Sequence, residues 1–333
     1  MAGLYDDGFV ERLRLGVAGL APLWGLGPKT RIRLLTLSEN ATFIAEDPAR
    51  AAPIILRVHR PDYHTRAEIE SELAWIAALR DSGTVDTPEP LALPDGGHIA
   101  EFEDQGQTRH VVGFSFMPGA EPDADAKLVA GFRVLGAISA RLHGHASTWT
   151  PPEGFVRKTW NFDTAFGPEP LWGDWRAALG LTPDQKAVLD RLCDVLQARL
   201  AAYGTGRDRF GLVHADLRLA NLLVDGDTLG VIDFDDCGFS WFIYDFAAAI
   251  SFHETNDIVP DLQAAWIAGY GSVAPLAQEH IDMIPTFILF RRLLLTAWIA
   301  SHPETETAAA AGLADYTQGT VDLARAYLAE AGA

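Results

Sequence analysis

One segment interrupts an otherwise helical half of the chain and limits the folds that the chain can adopt. Two short apolar runs, residues 222–224 and 229–234, flank the turn sequence Asp225-Gly226-Asp227, a pattern that predicts a β-hairpin. The surrounding sequence carries apolar residues at helical spacing over residues 127–143, 182–203, 259–270, 280–301 and 308–331. The sequence therefore predicts a mainly helical region that contains one hairpin.

The first 117 residues show a different pattern. Short apolar runs bounded by turn residues predict strands at residues 31–37, 41–45, 54–59, 91–93 and 111–117. Between them, residues 65–81 have helical spacing and glutamates near the N-terminal end, where carboxylates suit the helix dipole. We therefore predict an α+β fold with two lobes. A small N-terminal lobe, residues 1–117, has an antiparallel sheet and one helix, and a larger, mainly helical C-terminal lobe spans residues 118–333.

Composition excludes several classes of protein. The formal net charge of −19 repels a phosphate backbone, which argues against a nucleic-acid partner. No run of about 18 apolar residues predicts a membrane span, and residues 1–21 contain Asp6, Asp7 and Glu11 where a signal peptide is basic and then apolar. The two cysteines, Cys193 and Cys237, have neither redox nor metal-ligand spacing. We expect a cytoplasmic protein.

Four polar residues in and around the hairpin have the spacing of a phosphoryl-transfer site. His214 and Asp216 form a His-x-Asp sequence, Asn221 lies five residues after Asp216, and Asp233 lies twelve residues after Asn221. Phosphoryl transfer needs one carboxylate to orient and deprotonate a hydroxyl, and hard oxygen ligands to hold Mg²⁺ on the nucleotide phosphates. Since Asn221 precedes one strand of the hairpin and Asp233 ends the other, we expect them at the same end of the hairpin.

This segment resembles the aminoglycoside phosphotransferase and choline kinase superfamily, which shares the protein-kinase fold. Within it, the sequence is most similar to the group that contains homoserine kinase type II and the bacterial stress-response Ser/Thr kinases, over residues 38–298. The resemblance implies that Asp216 is the catalytic base and that His214 braces the catalytic loop. It also implies that Asn221 and Asp233 are ligands of Mg²⁺ and that ATP is the phosphoryl donor.

The resemblance assigns further residues to ATP in the N-terminal lobe. Asn40 ends the segment Leu37-Ser38-Glu39-Asn40, which is similar to the phosphate-covering turn of the family but contains no glycine. Arg57 stands where the family has a phosphate-binding lysine, and none of the four lysines of the chain lies on this strand. An arginine can still bind phosphate oxygens through two parallel hydrogen bonds.

Two more residues complete the predicted nucleotide site. Glu72 is the expected helix partner of the phosphate-binding cation, with Glu68 and Glu70 as alternatives. Met117 lies at the predicted hinge between the lobes and is expected to line the adenine pocket. Asp245, which follows the hairpin, matches an acidic residue of the superfamily and is expected to be structural.

The resemblance places the acceptor on the C-terminal lobe, beside Asp216. An arginine there could clamp a carboxylate and a tryptophan could cover a cation. The candidate acceptor residues are Phe252, Tyr270, Arg291, Arg292 and Trp298. The predicted function is transfer of the γ-phosphoryl group of ATP to a hydroxyl of a small molecule, such as an amino alcohol, a hydroxy amino acid or an aminoglycoside. Two alternatives stay open: a stress-response Ser/Thr protein kinase, and a nucleotide-binding module without catalysis, which Arg57 and the glycine-free turn favour.

Overall fold

The computed structural model describes residues 7–37, 40–122, 124–226, 228–303 and 305–332. Within these ranges the strands are β1 (Arg31–Leu37), β2 (Ala41–Glu46), β3 (Ile54–Val58), β4 (Ile99–Asp104), β5 (Gln107–Ser115), β6 (Phe210–Val213), β7 (Leu222–Asp225), β8 (Thr228–Val231) and β9 (Gly238–Trp241). The α-helices there are α1 (Asp7–Leu20), α2 (Arg66–Asp81), α3 (Ala124–Thr148), α4 (Phe162–Phe166), α5 (Pro183–Tyr203), α6 (Tyr244–Ala249), α7 (Val259–Gly271), α8 (Gln278–Ile281), α9 (Ile284–Ser301), α10 (Glu306–Ala311) and α11 (Ala314–Ala331).

The chain divides into two compact units. The first comprises the described residues of Met1–Ala120 together with Thr150–Arg157 and Leu223–Asp235, and the second comprises those of Glu121–Trp149, Lys158–Leu222 and Asp236–Ala333. The predicted α+β bilobal fold is confirmed. Because two later segments join the first unit, the chain crosses between the units more than once. The single boundary between residues 117 and 118 stays a prediction.

The first unit is built on a five-stranded antiparallel sheet in the order β1-β2-β3-β5-β4. Helix α1 covers it, since Leu13 and Val17 are buried in one cluster with Phe43 and Leu56 of the sheet. Helix α1 and strand β4 were not predicted, so the prediction of only one helix in this lobe was wrong. The strand predicted at residues 91–93 was also wrong, because this segment forms only isolated backbone hydrogen bonds beside β5.

Helix α2 has a clear start signal. The Thr65 side chain accepts a hydrogen bond from the backbone of Glu68, and the Glu68 side chain accepts one from the backbone of Thr65, which is a capping box. The buried face includes Ile69, Leu73 and Ile76. This face fixes the rotation of α2 and turns Glu72, which is also fully buried, into the interior of the unit.

The second unit is mainly helical, and its helices α3 and α7 approach each other closely. A Cβ atom added at Gly136 of α3 would overlap the carbonyl of Trp266, and one added at Gly269 of α7 would overlap the carbonyl of Arg133. Only glycine fits at such backbone contacts. The pair of glycines therefore sets the distance between the two helices.

Helix α9 is long and mostly apolar. Among the described residues, the segment Gln278–Ser301 alone is long and apolar enough to cross a membrane, judged by length and composition, and 83% of its 18-residue apolar window is buried inside the protein. It is the core helix of this unit. The prediction of one helix over 280–301 was wrong in detail, because α8 ends at Ile281 and α9 begins with Pro285 in its first turn, where proline is tolerated. The predicted helix 308–331 is likewise divided, at Gly312 and Leu313.

The predicted hairpin is formed by β7 and β8. A second two-stranded sheet, β6 with β9, brackets it in sequence and was not predicted. The loop between β6 and β7 carries the His-x-Asp sequence. It is therefore anchored by a strand on each side.

Candidate active site

Asp216 lies in the loop between β6 and β7, where several donors surround its carboxylate. Arg291 Nη2 donates to Oδ1 at 3.0 Å, and Arg218 donates from Nε and Nη2 at 3.1, 3.2 and 3.0 Å. Asn221 Nδ2 donates to Oδ2 at 3.2 Å. Burial alone would raise the pKa of this carboxyl, but the two guanidinium groups outweigh it, so the pKa of Asp216 lies below its ordinary value. Asp216 is therefore a carboxylate at neutral pH.

The backbone before Asp216 is held in an uncommon conformation. Ala215 has a φ of 67°, in the left-handed region that costs a residue with a side chain about 1–2 kcal/mol. The fully buried carboxylate of Asp245 accepts hydrogen bonds from the backbone N–H of Ala215 at 2.8 Å and of His214 at 3.4 Å. His214 is itself fully buried, and its Nδ1 lies 3.4 Å from the backbone nitrogen of Asp216. Asp245 and His214 thus brace the loop from inside.

Two further residues extend this brace. His143 of α3 donates from Nε2 to Asp245 at 2.9 Å, since an ionised carboxylate only accepts. The other ring nitrogen of His143 lies 3.2 Å from the hydroxyl of Tyr270. Burial raises the pKa of Tyr270 to about 12, so the phenol keeps its proton and donates. Tyr270 was predicted to contact the acceptor; its buried hydroxyl belongs to the brace, and its acceptor role stays a prediction.

Arg291 reaches Asp216 from α9. Its guanidinium also donates from Nη1 to the Tyr244 hydroxyl at 2.8 Å and from Nε to Ser251 Oγ at 3.2 Å. The Trp172 ring centroid lies 5.0 Å from its Cζ atom, within the range of a cation–π contact. Burial raises the pKa of Tyr244 to about 12, so this hydroxyl also stays protonated. The structure brings Arg291 to the predicted base, and its contact with the acceptor stays a prediction at this point.

Arg292, the next residue of α9, has a different environment. Its Nη1 donates to Glu254 at 2.8 Å, its Nε to Thr320 at 2.9 Å and its Nη2 to the Tyr316 carbonyl at 2.9 Å. The Glu254 side chain is fully buried, so this is an interior ion pair between α9 and the turn after α6, while the contacts with Thr320 and Tyr316 join α9 to α11. An arginine saturated in this way is not a substrate clamp, and we correct that assignment.

Two predicted acceptor residues are aromatic. Trp298 is buried near the end of α9, where its ring stacks on His302 with centroids 5.2 Å apart. Phe252 has a φ of 72° in the turn after α6, and its ring centroid lies 5.9 Å from that of Tyr316. Both rings thus contact protein groups other than Asp216. Their acceptor role stays a prediction.

The two predicted metal ligands differ in their surroundings. Asn221 is buried, and its Nδ2 also donates to the backbone carbonyl of Asp216 at 2.8 Å, so Oδ1 is the atom that it can offer to a cation. Asp233 belongs to the first unit, has a φ of 63°, and about half of its side chain (52%) is exposed. Each residue offers a hard oxygen, which is what Mg²⁺ prefers.

In the first unit, Arg57 is joined to Glu72. Arg57 Nη2 donates to both carboxylate oxygens of Glu72 at 2.8 and 2.7 Å, and both side chains are buried. The alternatives are occupied elsewhere, since Glu68 caps α2 and Glu70 pairs with Arg66 at 3.1 Å. Glu72 is therefore the glutamate that meets the cation of β3.

Further charged groups crowd Arg57. Asp233 and Asp235 each approach a guanidinium nitrogen to 3.8 Å, and His59 lies 3.4 Å away. Burial and the Arg57 charge hold the pKa of His59 well below its usual range, so this imidazole is neutral. Burial would raise the pKa of Asp235, but Arg57 and His64 lower it further than that, so Asp235 is a carboxylate. The arginine thus sits among three carboxylates.

The remaining residues that were predicted to bind the nucleotide are only partly described by the structure. Ser38 and Glu39 of the predicted phosphate-covering turn lie outside the described residues. Asn40 is buried, and its Oδ1 accepts a hydrogen bond from the backbone of Arg60 at 3.1 Å. Met117 is half-buried and packs against the backbone of Gly230 in β8. Their nucleotide roles stay predictions.

Three residues around Asp216 and Arg57 were not predicted. Arg218 contacts Asp216, Tyr244 contacts Arg291, and His59 lies beside Arg57. A cation two residues after the predicted base was a usable signal for Arg218. No local pattern distinguishes Tyr244 or His59, because tertiary packing alone brings them to their partners.

Comparisons with known proteins fit this geometry. Residues 32–278 match the model of a family described as the phosphotransferase enzyme family. The chain is 43% identical to a solved structure of a microcompartment-associated aminopropanol kinase, with a TM-score of 0.87 over 94% of this chain and 97% of that one. It is 29% identical to homoserine kinase of Chelativorans sp. (strain BNC1), over 74% of this chain and 72% of that kinase.

A more distant structure shares the fold. Amicoumacin kinase hAmiN, in complex with AMP-PNP, Ca²⁺ and Ami, is 22% identical, with a TM-score of 0.76 over 96% of this chain and 94% of that one. At this identity the match supports the fold alone. The resemblance to the aminoglycoside phosphotransferase and choline kinase superfamily is confirmed by these matches together.

Proposed function

The chain belongs to the phosphotransferase enzyme family, and we propose that it phosphorylates the hydroxyl group of a small amino alcohol. It is an ATP-dependent phosphotransferase that acts on a hydroxyl group of a small molecule. The observation that carries the narrower proposal is the 43% identity to aminopropanol kinase over nearly the whole chain, against 29% over 74% for homoserine kinase. The formal net charge of −19 also favours a cationic substrate over an anionic one.

In this proposal Asp216 orients the acceptor hydroxyl and takes its proton as the new O–P bond forms, while the bond between the γ-phosphorus and the bridging oxygen of ATP breaks and ADP leaves. Its carboxylate accepts hydrogen bonds from Arg291 and Asn221, and Asp245 fixes the backbone that precedes it. Such preorganisation is how a site with little covalent chemistry lowers the barrier of phosphoryl transfer. His214 supports the loop through its buried ring.

We also propose Mg²⁺ as the metal, with Asn221 and Asp233 as its protein ligands. An amide oxygen and a carboxylate suit Mg²⁺, which binds few protein groups and keeps several waters. Bound Mg²⁺ would neutralise charge on the β- and γ-phosphates. Substitution of either ligand by alanine is expected to raise the Mg²⁺ concentration required for half-maximal activity, measured by titrating the metal at fixed ATP.

Arg57 takes the place of the usual lysine in binding the nucleotide phosphates. The Glu72 contact holds its guanidinium inside the first unit, and Asp233 and Asp235 lie within 3.8 Å. Asn40 and Met117 complete the proposed nucleotide contacts, at the phosphates and the adenine respectively. The proposed location is the cytoplasm, where ATP is available and the two buried, free cysteines stay reduced.

The test is a comparison of acceptors. We would measure ADP release with Mg-ATP and 1-amino-2-propanol, ethanolamine, homoserine or kanamycin, with 2-propanol as the matched alcohol that lacks the amine. We expect the highest kcat/KM for an amino alcohol and about 10²- to 10⁴-fold loss of kcat in Asp216→Asn, the range for loss of a general base. Asp225→Asn, an exposed aspartate of β7, is the control substitution.

Two results would contradict the proposal at different levels. A higher kcat/KM for homoserine or kanamycin than for both amino alcohols would overturn the acceptor class but keep the kinase. Equal ADP release by wild type and Asp216→Asn with every acceptor would overturn the role of Asp216.

A further inference from the structure

We propose that Arg291 is a positioning residue that fixes the Asp216 carboxylate, and that it does not bind the acceptor. This inference rests on the proposed function, because it concerns the residue that would receive the acceptor proton. Arg291 joins Asp216 Oδ1 at 3.0 Å, the Tyr244 hydroxyl at 2.8 Å and Ser251 Oγ at 3.2 Å. All three of its guanidinium nitrogens therefore contact protein groups.

Burial supports a holding role. Arg291 is 3% exposed, and the rings of Trp172 and Tyr244 lie 5.0 and 5.6 Å from its Cζ atom. A clamp for a substrate carboxylate needs two parallel N–H groups that face the ligand. Here the Nε and Nη2 edge, which could form such a pair, is divided between Ser251 and Asp216. Both nitrogens of this edge thus already donate to groups of the protein.

The second arginine on the same carboxylate is placed differently. Arg218 lies two residues from Asp216 in the same loop, and its side chain is 32% exposed. Arg291 comes from α9, most of whose residues are buried in the core. A contact from a separate, rigid helix restrains the carboxylate relative to the core of the unit, whereas a contact from the same loop moves with it. The restraint on Asp216 is therefore supplied by Arg291.

Contacts with the turn after α6 orient the Arg291 side chain. Ser251 accepts from Arg291, and Glu254 in the same turn accepts from Arg292 at 2.8 Å. Between them, Phe252 has a φ of 72°, a conformation that bulky residues rarely adopt. A strained residue persists where the surroundings require it. The turn thus holds two neighbouring arginines of one helix in different directions.

The experiment compares two adjacent buried arginines. In Arg291→Gln we expect kcat for the best acceptor to fall about 100-fold, the cost of misplacing a reacting group by about 1 Å, while KM for the acceptor and for Mg-ATP changes less than about threefold. Arg291→Lys, which keeps the charge, should recover part of kcat. Arg292→Gln is the matched control, because it also removes a buried arginine of α9 but makes no contact with Asp216.

Kinetic outcomes separate the alternatives. A rise in the acceptor KM with little change in kcat would show a substrate clamp and overturn the inference. An equal loss of kcat in Arg292→Gln would show a general structural effect and also overturn it. If Arg291→Gln does not fold, Ser251→Ala is the milder variant, since it removes only the Nε contact; it should lower kcat and leave KM unchanged, and an unchanged kcat would count against the inference.

A second experiment, a comparison of crystal structures, does not depend on enzyme activity. Crystal structures of wild type and Arg291→Gln would be compared at the Asp216 side chain, with the Ser251→Ala structure in its place if the first variant does not fold. A rotated or displaced carboxylate supports positioning, and a carboxylate in the wild-type place overturns it. If wild type phosphorylates none of the acceptors, the proposed function fails while this comparison still decides the role of Arg291.

Discussion

Replacement of Asp245 by asparagine tests how the loop before Asp216 is maintained. The Asp245 carboxylate is fully buried and accepts from the Ala215 backbone at 2.8 Å and from His143 at 2.9 Å. The His214 contact at 3.4 Å is longer than a good N–H···O bond and adds little. Asparagine keeps the shape but supplies one neutral oxygen in place of two charged ones.

The magnitude follows from these two contacts. A hydrogen bond to a charged group contributes about 1.5–3 kcal/mol and a neutral one about 0.5–1.5 kcal/mol. Asparagine keeps one neutral bond to Ala215, and part of the loss is offset because a buried charge is removed. We expect the free energy of unfolding to fall by about 2–4 kcal/mol. Because only a weaker, neutral hydrogen bond then holds Ala215 in its left-handed conformation, we expect kcat to fall about ten- to a hundredfold.

The assay is urea unfolding followed by tryptophan fluorescence, together with kcat for the best acceptor. Asp194→Asn is the matched control, because Asp194 is exposed on α5 in the same unit; its effect should stay within about 0.5 kcal/mol. A loss below about 1 kcal/mol in Asp245→Asn, with kcat unchanged, would refute the idea that this carboxylate maintains the loop.

Three further predictions concern other buried groups. Arg57→Met leaves Glu72 buried without its cation, so the free energy of unfolding, measured by urea unfolding, should fall by about 3–5 kcal/mol. Arg57→Lys keeps the positive charge and should cause a smaller fall, so equal falls in the two variants would contradict the ion-pair argument. Because the pKa of His59 is depressed in the folded state, the unfolded chain binds one more proton than the folded chain at acidic pH. As the pH is lowered from about 6.5, the free energy of unfolding should therefore fall by about 1.4 kcal/mol per pH unit, and His59→Leu should make this dependence weaker. Gly269→Ala should destabilise the protein by about 1–3 kcal/mol in the same assay, with Gly271→Ala, where a Cβ atom meets open space, as its control.

The centre of the site could be predicted from sequence because its signals are local. His214, Asp216 and Asn221 lie within one short loop, and the hairpin that follows was visible from its apolar runs and turn. The Arg57–Glu72 contact could be anticipated from the family resemblance, which pairs a cation on this strand with a glutamate of the following helix. Helix α1 was not predicted, although Leu13 and Val17 lie one helical turn apart.

The roles of the two arginines of α9 could not be predicted. Consecutive residues of a helix point about 100° apart, so Arg291 faces Asp216 while Arg292 faces Glu254 and α11. Sequence alone gives the spacing but not the rotation of the helix, which depends on what packs around it. For the same reason the contact of Tyr270 with the His143 ring on α3 could not be predicted.

The close contact of α3 with α7 has a consequence for protein synthesis. Residues that meet there, such as Gly136 and Trp266, are far apart in the chain, and so are His143 and Tyr270 of the brace around Asp245. A ribosome that has made the loop of Asp216 has not yet made α7 or α9. The nascent chain therefore carries the loop of Asp216 before the groups that contact it, and Arg291 can reach Asp216 only after α9 has been made.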